Sequence, residues 1–210
     1  MNNQLTVIDF EGSVHSGVVE FGCVVLEGGE IVETATEFCR AEQPISARER
    51  ATHHIDTADV VTKAPFRSHW SFFAERRKHG LFVAHSANVE DALLRKAWPT
   101  GPITRHPIDA SPTVTWGPWI DTLYLYKSCY PQLPSYALSD LISTFQLESA
   151  LIECAQNVCP RHRQTFHCAL FDALAAALLL QRLSGSLPEL LYASSSNKKQ
   201  RENFLQKKLL

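Results

Sequence analysis

The chain has 210 residues, 45% of them hydrophobic and 20% charged, proportions that exclude a disordered, collagen-like or low-complexity polymer. Lys and Arg number 20 against 22 Asp and Glu, a formal charge of -2, which excludes a protein that coats nucleic acid by charge alone but not an enzyme working on one strand end. The longest apolar run, Ala173–Leu180, is far below the ~20 residues of a membrane span. Asp9, Glu11 and Glu20 depart from the basic start and apolar middle of a signal peptide. A cytoplasmic protein with no membrane contact is expected, its 6 cysteines reduced rather than paired.

In chain order, Leu5–Phe10 and Val18–Leu26 are apolar runs and Ile31–Phe38 partly alternates, which predicts three strands in a meander. Glu27-Gly28-Gly29-Glu30 supplies the positive-φ positions of a tight hairpin. Ser46–His53 is polar and helix-compatible, and Pro65 opens a second helix, Phe66–Lys78, that Gly80 closes. Leu81–Ala84 reads as a buried strand. Asn88–Trp98 carries Val89, Ala92, Leu93 and Ala97 at helical spacing and stops at Pro99. Pro99, Pro102, Pro107, Pro112 and Pro118 mark a long surface loop that could border a site. Trp119–Leu125 restarts an apolar run, Tyr136–Phe145 has helical spacing, and Cys168–Leu183 is an Ala/Leu-rich helix ending near Gly185. Strands first, then helices mixed with strands, predict an α/β sheet with helices on both faces. From Ser194 the chain carries Lys198, Lys199, Arg201, Lys207 and Lys208 against Glu202, a basic tail or added helix.

Three segments hold residues able to do chemistry. Asp9 and Glu11 end the first strand two residues apart, on one face. Two carboxylates side by side repel unless a divalent cation lies between them, although a polar strand end entering a turn accounts for the pair as well. Ala84-His85-Ser86-Ala87-Asn88-Val89-Glu90-Asp91 runs from strand into helix and presents Glu90 or Asp91 in the first turn, where the helix dipole also favours acidic residues. Asp172 sits within the otherwise apolar Cys168–Leu180, and a carboxylate buried there needs a partner or a metal.

In this order the segments resemble the DEDDh family of 3'-to-5' exonucleases, in the ribonuclease H-like superfamily, over about residues 4–184. Asp9-Phe10-Glu11 is similar to the family's Asp-x-Glu motif and Val18-Val19-Glu20-Phe21-Gly22-Cys23-Val24 to its next strand. Pro44-Ile45 through His53-His54-Ile55 is similar to the Pro-x-x-x-Ile and His-Gly-Ile stretch, with His54 where Gly is usual. Ala84–Glu90 resembles Ala-His-Asn-Ala-x-Phe-Asp, with Ser86 in place of Asn. Asp121-Thr122-Leu123-Tyr124-Leu125 with Pro131 and Leu138-x-x-Leu141, and finally His167-Cys168-Ala169-Leu170-Phe171-Asp172-Ala173, complete the likeness.

The resemblance implies a ribonuclease H-like mixed five-stranded sheet flanked by helices on both faces, an exonuclease domain over 1–185, and a C-terminal helix and basic tail over 186–210. It implies hydrolysis of single-stranded DNA or RNA from the 3' end, with two Mg²⁺ or Mn²⁺ held by Asp9, Glu11, Glu90 and Asp172 and with His167 as general base. The family's second-motif aspartate falls on Glu90; Asp91 follows, and because one helical step turns a side chain by ~100° only one of the two faces the metals. Glu90 is the expected ligand. Phe10, Gly12, Ser13 and His85 would border the terminal nucleotide, and a homodimer is an assembly the family allows. A non-catalytic nucleic-acid-binding or adaptor module that kept the fold is the alternative. Arg67, Arg76, Arg77 and Lys78 offer phosphate contacts or simply a solvated helix face. Cys154, Cys159, His162 and His167 have the residue types of a zinc site without a standard finger spacing. Trp116 and Trp119 could stack on bases but are expected in the core. His53, His54, His69, His79 and His106 are expected on the surface.

Overall fold

In the computed structural model, which describes residues 4–107, 109–183 and 190, the first three apolar stretches form the expected meander. β1 (Gln4–Ser13) pairs antiparallel with β2 (Gly17–Glu27), and β2 pairs antiparallel with β3 (Glu30–Phe38). Gly28 and Gly29 turn the β2–β3 hairpin at φ 60° and 92°, the left-handed region that a tight hairpin demands and glycine enters without penalty.

α1 (Ala47–His53) follows, its N-terminus closed by a reciprocal box in which Ser46 and Glu49 satisfy each other's backbone amides. His54 ends it at φ 59° and donates its N–H to the Arg50 carbonyl. The place where the resemblance leads one to expect Gly is a left-handed cap, which histidine fills here at some strain. α2 (Thr57–Val60) is a single turn. The helix expected over Phe66–Lys78 is split: Phe66–His69 is a tighter 3-10 turn, with the Ser68 backbone N–H and hydroxyl both donating to the Pro65 carbonyl, and α3 proper is Trp70–His79.

β4 (Gly80–Ala84) runs parallel to β1 and leads into α4 (Ala87–Ala97). The proline-rich loop holds only the two-residue strands β5 (Thr104–Arg105) and β6 (Pro112–Thr113), paired as a ribbon. β7 (Ile120–Asp121) is parallel to β4, and Asp121 ends it at once by accepting the Leu123 amide as N-cap of α5 (Thr122–Cys129). α6 (Leu138–Thr144), α7 (Glu148–Val158), a 3-10 turn at Arg161–Arg163 and α8 (Ala169–Arg182) complete the described chain. α5 and α7 were not legible as helices. The expected C-terminal helix and basic tail lie outside the described residues, apart from Leu190.

The sheet order is β3-β2-β1-β4-β7, a mixed five-stranded sheet. Period-two alternation divides its residues between two cores. Val7, Val24, Leu26, Leu81 and Val83 face α5 to α8, whereas Ile8, Phe10, Phe21 and Phe82 face α3 and α4 in an aromatic core with Phe66, Phe73 and Trp116. Each large side chain so buried contributes about 1.5–3 kcal/mol. α8 is apolar around most of its circumference and sits under neighbours on several sides, which is why Asp172 stands out within it. No helix among the described residues is long and apolar enough to cross a membrane.

Candidate active site

β1, β4 and β7 are parallel, so their carboxyl ends open on one edge of the sheet, and the acidic residues gather there. Asp9 and Glu11 share the Val7 face of β1, toward α8. Register sets Asp9 opposite Gly22 and Glu11 opposite Glu20. At Gly22 the backbone of α8 reaches the sheet: a β-carbon there would lie 2.2 Å from the carbonyl carbon and oxygen of Ala169. This contact lowers the first turn of α8, and with it Asp172, onto Asp9 and Glu11.

Glu90 enters from the first turn of α4, which Asp121 anchors by accepting the amides of Ser86 (3.1 Å) and Ala87 (2.9 Å). Glu90 is 4% exposed. Asp91 turns the other way, accepting Arg95 Nε at 2.5 Å and Trp119 Nε1 at 2.9 Å. His167 is exposed, in a left-handed backbone conformation at φ 63°. Ligand atoms of Glu11, His167 and Asp172 lie within 4.8 Å of one another.

Burial and crowding shape the electrostatics. Asp9 is held well above the usual carboxylate range by burial, then by Asp172, Glu90 and Glu11. Burial, then Asp172 and Glu20, push Glu11 up to about 8, while Arg163 pulls the other way. Asp172 rises to about 7, chiefly through burial, against the His167 backbone N–H that favours its charged form. Glu90 is raised by burial and by Glu11 and Asp121, opposed by the Phe10 amide. Four such carboxyls resist ionising together unless a cation joins them.

Glu90 Oε2 and Asp172 Oδ1 are buried with no hydrogen-bond partner, an arrangement that costs stability in a metal-free protein. Unpaired hard oxygen donors at the meeting point of four carboxyls fit a hard divalent cation. Asp9, Glu11, Glu90 and Asp172 are the residues that would hold it.

The residues expected to border a nucleotide are placed differently from one another. Gly12 has φ 127° at a bulge in β1, where a β-carbon would lie 2.1 Å from the Gly17 carbonyl oxygen. The Ser13 hydroxyl accepts the amides of His15 and Ser16, closing the β1–β2 turn. The Phe10 ring is 6% exposed and packs edge-on against Phe66 and Phe73, away from the acidic cluster. Both ring nitrogens of His85 are engaged, with Thr122 Oγ1 and the Tyr136 carbonyl at 2.9 Å, and burial lowers its pKa to about 4, leaving it neutral.

The basic residues of α3 and its preceding turn serve the fold. Arg67 caps α4 through the Ala97 and Lys96 carbonyls, Arg76 pairs with Glu33 over the Phe72 ring, and Lys78 pairs with Glu75. Arg77, 2% exposed, donates to the Trp116 and Gly117 carbonyls. Trp116 is wholly buried, as expected of a core residue. The zinc reading is not supported: Cys159 packs in the α8 core, and among the described residues His167 groups with Glu11 and Asp172 instead. His53 is a correction. It is 2% exposed rather than on the surface, because its Nδ1 accepts the Ile55 amide and its carbonyl accepts from Arg163.

Glu20 and Arg163 escaped sequence reasoning as site residues. The Glu20 carboxylate takes the Arg163 guanidinium in a two-pronged buried pair and also accepts the Ala169 amide at 3.0 Å. They are 143 residues apart, and no local pattern joins them.

The family profile described as Exonuclease (RNase_T) matches residues 6–180. The chain belongs to this exonuclease family. It is 26% identical over 176 residues to DNA polymerase III PolC-type of Bacillus subtilis and 24% over 172 residues to that of Bacillus cereus, covering 81% of this chain and 10% of each relative. The chain thus spans about a tenth of the curated relatives it matches. Among solved structures it is similar to exonuclease X in complex with 5' overhanging duplex DNA, at TM-score 0.64 and 24% identity over 96% of this chain and 99% of that one. It is also similar to E. coli exonuclease I in complex with a dT13 oligonucleotide, at TM-score 0.65 and 13% identity over 96% of this chain and 46% of that one. The mixed sheet with its flanking helices is the ribonuclease H-like fold of these exonucleases.

Proposed function

We propose that this exonuclease removes nucleotides from the 3' end of single-stranded DNA or RNA with the help of two Mg²⁺ or Mn²⁺ ions. The observation that carries the reading is the convergence of Asp9, Glu11, Glu90 and Asp172, with two buried oxygens unpaired, beside an exposed histidine. The DNA complexes of exonuclease X and exonuclease I lend support on the substrate side.

Such ions, when bound, supply Lewis-acid activation of water and charge stabilisation at the leaving 3' oxygen. Asp9, Glu11, Glu90 and Asp172 hold them. His167 takes the proton of the attacking water through its exposed imidazole, a group suited to proton transfer near neutral pH. The bond from its backbone N–H to Asp172 ties base and carboxylate together. Gly12 and Ser13, at the bulge and turn that end β1, border the terminal nucleotide. Phe10 and His85, whose side chains are committed to the fold, serve indirectly by supporting Glu90 and the end of β4. The same reading makes the protein a cytoplasmic enzyme, working alone or as a homodimer.

The test is incubation with 5'-labelled single-stranded DNA and RNA in Mg²⁺, Mn²⁺ or EDTA, beside an Asp9→Ala control. A ladder shortening from the 3' end, dependent on metal and lost in the control, is the expected result. Intact oligonucleotides in every lane overturn the reading in favour of a binding or adaptor module.

A further inference from the structure

Arg163, 7% exposed, is the cation that the described structure sets beside the acidic cluster. Its three nitrogens are all engaged. Nε donates to Glu20 Oε1 at 3.2 Å, one terminal nitrogen donates to Glu20 Oε2, and the other donates to the His53 carbonyl at 2.9 Å. Glu20 Oε2 in turn accepts the Ala169 amide at 3.0 Å. α8 has no side-chain cap of its own, so a strand residue satisfies one of its orphan amides. One guanidinium therefore links the C-terminal end of α1, β2 and the turn before His167, and through Glu20 it fixes Ala169, two residues after His167 and three before Asp172.

A buried ion pair is a weak means of stabilising a fold, since apolar replacements of similar volume are often neutral or better. What this one supplies is geometry. The planar fork holds Glu20 by two prongs and the His53 carbonyl by its other terminal nitrogen in one fixed geometry, which the point charge of an ammonium does not reproduce. It also offsets the charge of Glu20, which lies directly across the strand pair from Glu11, where two like charges would otherwise repel.

We propose that Arg163, acting through Glu20 and Ala169, is a positioning residue that holds His167 and Asp172 in register over Asp9 and Glu11. The proposal rests on the functional reading above. It does not make Arg163 a catalytic residue: the guanidinium is buried, with each of its nitrogens turned to Glu20 or the His53 carbonyl.

The test compares Arg163→Lys, Arg163→Met and, as a structural control, Arg77→Met, which removes an equally buried arginine from the opposite core. Each variant is measured for thermal midpoint, for kcat and KM on a labelled oligonucleotide, and for Mn²⁺ affinity by calorimetry without substrate. Arg163→Lys keeps the charge but loses the fork; kcat is expected to fall about tenfold or more with KM within threefold, and Mn²⁺ binding to weaken severalfold as Asp172 loses its support. Arg77→Met is expected to lower the thermal midpoint while kcat and Mn²⁺ affinity stay within twofold. Wild-type kcat and Mn²⁺ affinity in folded Arg163→Lys would overturn the proposal and leave the pair a structural tie. If Arg163→Met does not fold, the lysine variant decides alone. If the wild type degrades no oligonucleotide, the functional reading fails, and the Mn²⁺ titration still decides the positioning role: unchanged affinity in Arg163→Lys refutes it, weaker affinity supports it.

Discussion

The backbone N–H of His167 donates to Asp172 Oδ2 at 3.0 Å, so a histidine exposed to solvent and a carboxylate buried in the α8 core are joined across the first turn of one helix. The bond costs His167 a left-handed backbone, a conformation that non-glycine residues seldom adopt. Strain of this kind persists where surrounding bonds over-determine it, and here the Glu20 carboxylate and Gly22 hold the adjoining turn.

His167→Ala should therefore remove turnover while sparing strand binding. The expected loss in kcat is about 10²–10⁴-fold, the usual worth of a positioned general base, with oligonucleotide affinity in Ca²⁺ within threefold. Equal turnover in a metal-saturated assay would sink the role.

The two neighbouring acids of α4 should separate cleanly. Glu90→Gln removes a charge from the cluster and should lower Mn²⁺ affinity and kcat together, by at least about tenfold each, given how strongly hard cations depend on anionic oxygen. Asp91→Asn disturbs only the contacts to Arg95 and Trp119 and should cost about 0.5–1 kcal/mol of stability with kcat near wild type. The reverse pattern in the paired assays would assign the metal to Asp91.

Stability of the metal-free protein should fall as pH rises. Glu11 sits at about 8 and Asp172 at about 7 in the folded protein, above the ~4 of unfolded carboxyls. The folded state thus binds more protons than the unfolded one between about pH 4 and 8, and stability declines across that window. The expected result in EDTA is a lower thermal midpoint at pH 8.5 than at pH 5.5, by about 3 °C or more. Excess Mn²⁺ should restore it at the higher pH, where the ionised cluster binds metal best. A midpoint that rises with pH in EDTA would contradict the crowding described for the cluster.

Gly22→Ala should be among the costliest small substitutions in the chain. Its methyl group would overlap backbone atoms of Ala169 at 2.2 Å, and backbone cannot swing aside as a flexible side chain does. Pushing α8 off the sheet should cost upward of about 1–3 kcal/mol and lower Mn²⁺ affinity with it. Thermal unfolding and metal calorimetry on the same preparation read both effects; an unchanged midpoint would show that α8 can shift freely.

Local pattern carried much of this protein. The meander, its Gly28-Gly29 hairpin, the strand before α4 and the apolar α8 follow from alternation, glycine position and helical spacing, because each depends on residues a few places apart. The grouping of Asp9 and Glu11 on one face is likewise a property of strand geometry alone. α5 was missed because its first residues continue the apolar run that begins at Trp119, and α7 because it buries only Leu151 and Ala155, while the 3-10 start before α3 depends on bonds back to the Pro65 carbonyl.

Tertiary packing decided the rest. Which of Glu90 and Asp91 turns inward depends on Arg95 and Trp119, and Trp119 reaches Asp91 from 28 residues away. Burial of His53, commitment of Arg67 and Arg77 to carbonyls, and the side on which the Phe10 ring lies depend on partners brought close only by folding. The Glu20–Arg163 pair, spanning 143 residues, is the extreme case: neither residue carries a mark of its partner, since a contact made across a sheet leaves no period in the chain that makes it.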